Sequence, residues 1–436
     1  MTNPTAPPPA SPQEPAAADP PAPRNEPAEP VRLCGARLAG DPGELHRSLR
    51  QRHGPVVPVL LDGDVPAWFV LGYREVGHVA GNPRLFARDC RRWNARELVP
   101  DDWPLMPHVG WTPSVTFAEG AEHRRRTGAI GDALDRVERS ALTLVCERAA
   151  DRLLRAFSGD GEADLVAQYA HRFPLHVLAE LYGLPRGDIP VLAQDVAESL
   201  DADGKAARAR ERIRDRMARL VAERRAAPAR DVPSRLVEHP AGLTDEEITL
   251  DLLAVTAAAH QRTGDWIGNA LRLMLVDDRF SMSMQGGRGG VSQALNEALW
   301  EDAPARNLIG RWAVHDCDLG GRRVRRGDLL VLGLAAAGAD PRVRPGSYTD
   351  HGPGANRAHL SFGHGEHGCP FPAPELAETM SRTAVEVLLD RLPDVALAVP
   401  PERLEWRPSA SVRGLRALPA VFSPVIQDMT AWDDDF

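Results

Sequence analysis

The stretch that decides the fold is Phe-Gly-His-Gly-Glu-His-Gly-Cys, which runs from Phe362 to Cys369. Its glycines at 363, 365 and 368 allow backbone turns that a Cβ atom would block. Apolar residues then recur at helical spacing from Leu376 to Leu392, which predicts a buried helix directly after the loop. Cys369 therefore ends a tight loop, from which backbone amides can stabilise a thiolate and tune a metal bound to it.

The composition of the 436-residue chain predicts a mostly helical protein with a sizeable core, since 43% of its residues are hydrophobic and only 5% are aromatic. The formal net charge of −9 argues against nucleic acid as a partner. The five cysteines are scattered and include no C-x-x-C pair, so neither a disulfide framework nor a zinc site is predicted, and we expect a reducing, cytoplasmic setting. The N-terminal residues lack the apolar run of a signal peptide or membrane anchor, so we expect a soluble protein that does not bind membranes.

The pattern along the chain predicts a single domain that follows a disordered tail. Residues 1–30 are rich in Pro, Ala and Glu and hold almost no large apolar side chain, so they bury too little surface to become ordered. We expect residues 31–436 to form one domain, with two strands within 56–71 and further short strands within 308–332 and 406–422. Helices are expected at 123–157 with one interruption, 165–182, 205–226 and 251–276.

The loop pattern F-G-x-G-x-H-x-C resembles the haem-ligand loop of the cytochrome P450 family, and the resemblance extends over about residues 31–425. It implies a mainly α fold with small β-sheets, haem b as cofactor, and Cys369 as the thiolate ligand of the iron. Phe362 and Gly363 belong to the same cofactor-binding loop. The alternative for Cys369 taken alone is an ordinary buried free thiol.

The segment Ala258-Ala259-His260-Gln261-Arg262-Thr263 is similar to the family's A-G-x-(D/E)-T-T, which lies over the haem iron. Ala258 and Ala259 keep the small size that contact with the cofactor requires. Gln261 and Arg262 replace the acid and the first threonine: Gln261 can position water but cannot exchange a proton, and Arg262 is permanently charged. Gln261, Arg262 and Thr263 are the expected catalytic residues. Arg262 either contacts an anion in the pocket or pairs at the surface.

A further segment departs from the family pattern. Glu297-Ala298-Leu299-Trp300 stands where the family has E-x-x-R, as in an atypical actinobacterial branch, so Glu297 needs another donor. The candidate donors are Arg342, Arg344 and Arg357.

The resemblance also implies that His123, Arg311 and His359 contact the haem propionates, since carboxylates attract cationic partners. The family's arginine four residues beyond His123 is Thr127 here, and Arg126 is the candidate substitute if the helix shifts or the long side chain bends.

The resemblance implies a monooxygenase that inserts one oxygen atom from O2 into a small organic substrate, in secondary metabolism. A ferredoxin and its reductase would supply the electrons. Five arginines are candidates for docking that acidic partner: Arg88, Arg91, Arg92, Arg124 and Arg125. Two alternatives remain open at this point. One is a peroxide-dependent enzyme in which Arg262 binds a substrate carboxylate, and the other is a haem-binding regulatory protein with little turnover.

Overall fold

The computed structural model describes residues 29–33, 42–200, 205–277, 280, 289–343 and 356–425. The predicted tail at 1–30 lies outside the described residues except for its last two positions. The helices are α1 (Pro42–His53), α2 (Tyr73–Gly81), α3 (Met106–Val109), α4 (Gly120–Asp135), α5 (Arg139–Arg155), α6 (Arg172–Leu181), α7 (Ile189–Leu200), α8 (Ala206–Ala226), α9 (Val232–Val237), α10 (Asp245–Val276), α11 (Gly289–Glu301), α12 (Leu334–Gly338) and α13 (Ala373–Arg391). The strands are β1 (Val31–Arg32), β2 (Val56–Leu61), β3 (Val65–Val70), β4 (Phe86–Ala87), β5 (Glu162–Asp164), β6 (Asn307–Ala313), β7 (Cys317–Leu319), β8 (Arg322–Val324), β9 (Leu329–Gly333), β10 (Ala396–Leu397) and β11 (Pro419–Val421).

The mainly α fold with small β-sheets is confirmed, and so are most of the predicted helices. The helix expected at 123–157 is two helices, α4 and α5, with the single interruption at residues 136–138. The helix expected at 165–182 begins with a π-helical turn, Val166–Ala170, and continues as α6. Within the described ranges, none of the helices combines the length and the apolar character that crossing a bilayer requires.

The long helix α10 begins six residues earlier than predicted, at Asp245, because a capping box fixes its start. The Thr244 hydroxyl accepts a hydrogen bond from the Glu247 N–H (3.2 Å), and the Glu247 carboxylate accepts one from the Thr244 N–H (2.9 Å). The helix runs through the centre of the fold and packs against α8, α11 and α13. Its buried Leu252, Ile267 and Leu271 belong to the largest apolar cluster of the protein.

In the part of the chain that the structure describes, three sheets lie beside the helices. The largest has the strand order β1-β2-β3-β9-β6-β4, with β1–β2 and β3–β9 parallel and the other pairs antiparallel. The predicted turn between β2 and β3 is confirmed as a 3₁₀ turn over Asp62–Asp64, where Gly63 has a φ of 74°. Strands β10, β11 and β5 form a second sheet, and β7 and β8 form a hairpin.

Two ion pairs connect α4 to α10. Arg125 pairs with Glu247 near the start of α10, and Arg126 pairs with Asp251 one turn further along. Asp251 also accepts a hydrogen bond from the Val115 N–H at 3.0 Å. These contacts fix α4 relative to the part of α10 that precedes Ala258.

Candidate functional site

The loop that precedes α13 is closed by its own backbone. The Gly363 N–H donates to Leu360 O (2.8 Å), the Gly368 N–H to Gly365 O (2.9 Å) and the Cys369 N–H to Phe362 O (2.8 Å). Gly363 and Gly365 have φ values of 77° and 71°, a region that favours glycine. These three amides therefore shape the loop instead of donating to the Cys369 sulfur.

Cys369 is a solvent-accessible residue, although it is set among protein atoms. Burial raises the pKa of its thiol to about 11, and the positive charge of Arg262 opposes that rise. A metal cation bound to the sulfur would displace the proton and hold the thiolate. Among the residues that the structure describes, no three His, Cys, Asp or Glu side chains cluster as a polydentate metal site would require, so Cys369 is a candidate single protein ligand.

One stripe of α10 faces the cysteine loop. Ala258, Arg262 and Trp266 recur every four residues and therefore lie on the same side of the helix. Trp266 packs edge to face on Phe362, with 5.7 Å between the ring centroids and 74° between the planes. Ala258 and Arg262 are nevertheless solvent-accessible, even though α10 is packed on several sides. The stripe thus borders an enclosed space on the Cys369 side of the helix.

Arg262 extends into this enclosed space. Burial lowers the pKa of its guanidinium, and the nearby Cys369 raises it. Burial and then the charge of Arg262 lower the pKa of His108 to about 4 and that of Arg88 to about 10, so Arg262 lies near both groups. The alternative that Arg262 turns outward and pairs at the surface is therefore wrong.

The neighbours of Arg262 have different surroundings. Gln261 is half-buried, and Thr263 is buried with 4% of its surface exposed. His260 is also buried, and its Nε2 lies 2.9 Å from the carbonyl oxygen of His171. Of the three residues predicted to be catalytic, Arg262 is thus the most exposed to solvent. Ala259, on the same segment, is half-buried.

A bulge in β6 positions Arg311. The register of β6 against β9 shifts between Ile309 and Arg311, and Gly310 has a φ of 99°. Such a bulge redirects the side chain that follows it. The Arg88 guanidinium donates to the carbonyl oxygens of Ile309 and Gly310 and so supports this irregular backbone from one side.

Arg311 belongs to a basic cluster, which we define as His123, His367 and Arg311. The rings of His123 and His367 are in contact, with 4.1 Å between the centroids and 46° between the planes, and Arg311 and His367 line the same small cavity. Burial, followed by the charge of Arg311, lowers the pKa of His367 to about 2, and burial and the charge of Arg88 lower that of Arg311 to about 9. Within the described part of the chain, Arg311 Nε and Nη1 and His123 Nδ1 are buried without a hydrogen-bond partner. Glu366 Oε1 lies 3.8 Å from His123 Nδ1, too far for a hydrogen bond, so these nitrogens remain unsatisfied.

A haem group fits this arrangement. Its two propionates are carboxylates, which the unsatisfied nitrogens of the basic cluster would bind, and a flat ring would lie in the enclosed space between Cys369 and α10. The small side chains of Ala258 and Ala259 leave the backbone of α10 open to such a ring. The residues present thus fit the cofactor that the sequence implies.

Two of the three predicted propionate contacts, His123 and Arg311, belong to the basic cluster. The third, His359, packs at 5.9 Å against both Trp300 and Phe362, and its Nδ1 is likewise buried without a hydrogen-bond partner among the described residues. His367 joins the cluster although it was not among the predicted propionate contacts. The signal was its place two residues before Cys369, on the same loop.

Arg126 does not substitute for the arginine that Thr127 replaces. Its Nε lies 3.0 Å from Asp251 Oδ2, and its side chain is 1% exposed. It also donates to Pro113 O at 2.9 Å. This expectation was wrong because the long stem of Arg126 points toward α10, where a buried carboxylate neutralises its charge.

Two of the three donors proposed for Glu297 are engaged elsewhere. Arg342 pairs with Asp340 at 2.7 Å, and Arg357 pairs with Glu378 at 2.8 Å. Arg344 lies outside the described residues. The Trp300 Nε1–H, in the place of the family's arginine, donates to the carbonyl oxygen of Asn356 at 3.0 Å.

Of the five arginines predicted to dock a partner, Arg124 is the one that lines the surface groove reaching Cys369. The prediction is wrong for Arg88, because its side chain is buried and donates to backbone carbonyls. Arg91 pairs with Asp89, Arg92 lies 3.4 Å from Glu119, and Arg125 pairs with Glu247. Phe371, 65% exposed, also lines the groove.

Comparison with known proteins gives a consistent result. No protein-family model matches the chain. The chain is 29% identical over 395 residues to the cytochrome P450 monooxygenase PikC of Streptomyces venezuelae, and the aligned region covers 88% of this chain and 92% of PikC. It is 28% identical over 284 residues to the polyketide biosynthesis cytochrome P450 PksS of Bacillus subtilis, and the aligned region covers 64% of this chain and 70% of PksS. The solved structure of CYP154C4 from a Streptomyces species superposes with a TM-score of 0.79 at 28% identity, over 90% of this chain and 98% of that one.

Proposed function

This chain is a cytochrome P450 monooxygenase that carries haem, and on that premise we propose that Cys369 holds haem b and that a ferredoxin with its reductase supplies the electrons. The proposed reaction inserts one oxygen atom from O2 into a small organic substrate. When bound, haem with an axial thiolate supplies the oxygen activation that this reaction needs.

The observation that carries the cofactor proposal is the basic cluster. Arg311 is 2% exposed and His123 is 3% exposed, and both keep buried nitrogens without a hydrogen-bond partner among the described residues. Leaving such groups unsatisfied costs about 1–3 kcal/mol each, and more for a charged one. Two propionates would offset this cost, and the cluster lies next to the loop that carries Cys369.

The chain's own residues then have distinct roles. Phe362 and Gly363 shape the loop, and Ala258 and Ala259 leave room for the ring. We expect Gln261 to hold water by hydrogen bonds, since an amide both donates and accepts but does not exchange a proton as a carboxylate does. The Thr263 hydroxyl is the remaining alcohol of the segment, and it is buried.

Support for the electron donor comes from the surface groove on the Cys369 side. Arg124 lines this groove with 62% of its side chain exposed, beside the exposed Phe371. The groove also contains Asp132 and Asp135, so its charge is mixed. Arg124 pairs with Glu366 at 3.4 Å, and a partner docked in this groove would lie on the side of the protein that carries Cys369.

A second candidate is a peroxide-dependent enzyme. It is favoured by one observation: Arg262, and not an acid or alcohol, extends into the enclosed space beside Cys369. An enzyme that starts from hydrogen peroxide receives its protons with the oxidant and has less need of a relay from α10. The two candidates differ in oxidant and electron source but use the same cofactor site.

The substrate proposal rests on the relatives. PksS is named for polyketide biosynthesis, and this chain resembles it in sequence. We propose that the substrate is a secondary metabolite of similar general character, whose identity the enclosed space and its polar groups select.

The experiment compares the wild-type protein with Cys369→Ser. Haem is extracted and identified as the pyridine complex, and the spectrum of the reduced carbon monoxide adduct reports the axial ligand. We expect haem b and the red-shifted band of a thiolate adduct in the wild type, and loss of that band in the variant. An unchanged adduct spectrum in Cys369→Ser would exclude this ligand.

Product formation is then compared with ferredoxin, its reductase and NADPH in one reaction and with hydrogen peroxide in the other. Turnover in the first reaction alone supports the ferredoxin-dependent function. Turnover with peroxide alone supports the second candidate and contradicts the first.

A further inference from the structure

Arg262 has no counter-ion within the described part of the chain. It forms no salt bridge there, and the group with which it interacts electrostatically is Cys369, whose thiolate the proposed iron would bind. The charged side chain that lies near it, Arg88, is also cationic. Because Arg262 is solvent-accessible, an anion that enters the space beside Cys369 can reach its guanidinium.

A polar pair lies near Arg262. His108 on α3 is accessible, and its Nε2 is 3.3 Å from the hydroxyl oxygen of Ser411. Burial and the charges of Arg262 and Arg88 lower the pKa of His108 to about 4, so the ring is neutral at pH 7. A neutral ring and a hydroxyl can orient a polar group without competing with Arg262 for an anion.

We propose that Arg262 binds a carboxylate of the substrate, with the His108–Ser411 pair lining the same part of the pocket. A guanidinium presents parallel N–H donors that match the two oxygens of a carboxylate, which gives both strength and orientation. The substrate therefore belongs to the class of organic acids. This inference rests on the proposed function, since it assigns the substrate class of the same site.

The position of Arg262 also defines how such an acid lies. Arg262 is on the stripe of α10 that faces the cysteine loop, with Ala258 one turn before it and Trp266 one turn after it. A carboxylate bound there is placed beside the cofactor space. The uncharged remainder of the acid then contacts the rest of the enclosed space.

The test measures binding to the holoenzyme by titration calorimetry. The probes are a panel of aliphatic and aromatic carboxylic acids from four to sixteen carbons, each paired with its methyl ester. The proteins are the wild type, Arg262→Met, Arg262→Lys and, as a matched control, Arg139→Met, which removes an exposed arginine at the start of α5. Haem content and the carbon monoxide spectrum are recorded for every protein.

We expect at least one acid to bind the wild type about 10- to 100-fold more tightly than its ester, as a hydrogen bond to a charged group implies. The preference should disappear in Arg262→Met, persist in part in Arg262→Lys and remain in Arg139→Met. The proposal is overturned if no acid is preferred over its ester, or if Arg262→Met keeps the preference. Because the spectrum separately reports the thiolate-bound haem, a protein with a normal spectrum and no acid preference refutes this inference alone, and absence of haem refutes the proposed function.

Discussion

Replacing Arg126 with Met is expected to destabilise the protein without selectively releasing haem. Arg126 pairs with Asp251, and the two side chains are 1% and 0% exposed. The pair joins α4 to α10, and Asp251 also accepts the Val115 N–H. If Arg126 served the propionates, as its place beside Thr127 suggested, the same change would instead lower haem affinity at nearly constant stability of the polypeptide.

The magnitude follows from leaving one buried charge unpaired. Removing a single partner of a buried ion pair costs about 3–5 kcal/mol, whereas removing both in favour of apolar groups is often close to neutral. With an unfolding entropy of about 2 cal/mol/K per residue over the 436-residue chain, this loss lowers the Tm by about 3–6 °C. Asp251→Leu alone is expected to cost at least as much, since the Val115 N–H also loses its acceptor.

The assay is a double-mutant cycle on Arg126→Met and Asp251→Leu, with Tm and haem content measured for each protein. Arg125→Met is the matched control, because Arg125 pairs with the more exposed Glu247 and such a pair contributes about 1 kcal/mol or less. The double variant should lose clearly less than the two single losses combined. Strict additivity, or loss of haem at an unchanged Tm in Arg126→Met, would refute the reasoning.

Two further predictions concern other parts of the fold. Asp340 is buried, and burial raises the pKa of its carboxyl, but hydrogen bonds from Arg342 and the Tyr73 N–H prevail and lower this pKa to about 2. The ionised carboxylate therefore adds about 2 kcal/mol to the free energy of unfolding above pH 4, and about half of this contribution remains at pH 3. The Tm difference between the wild type and Asp340→Asn should thus narrow from pH 7 to pH 3, and a constant difference would contradict this. In Gly365→Ala the new Cβ would lie 2.5 Å from Ala80 O at a φ of 71°, so the haem content of this variant should fall markedly. In the control Gly77→Ala, on the adjacent α2, the new Cβ meets no atom within 4 Å, so the haem content should be unchanged.

The cysteine loop and the helices could be predicted because their signals are local. Gly363 and Gly365 adopt the left-handed backbone that glycine favours, and Cys369 follows them within one short segment. The interruption between α4 and α5 also depends on neighbouring residues alone. Such features are encoded within a few residues and can therefore be located from the sequence.

Partner choices were harder to predict because they join distant parts of the chain. Arg126 pairs with Asp251, 125 positions away, and His367 packs against His123 from the other half of the protein. A long side chain can reach several candidate partners, and only the packing of the helices decides among them. The expectations for Arg126 and Arg88 failed for this reason.

The sequence by itself determined which residue types are available: one cysteine at the end of a glycine loop, small residues at Ala258 and Ala259, and a guanidinium in place of an alcohol at Arg262. The tertiary structure alone decided where that guanidinium goes, because the packing of α10 against Phe362 through Trp266 turns its stripe toward Cys369. Helical periodicity places residues on a common face, but only contacts with the rest of the fold determine what that face meets.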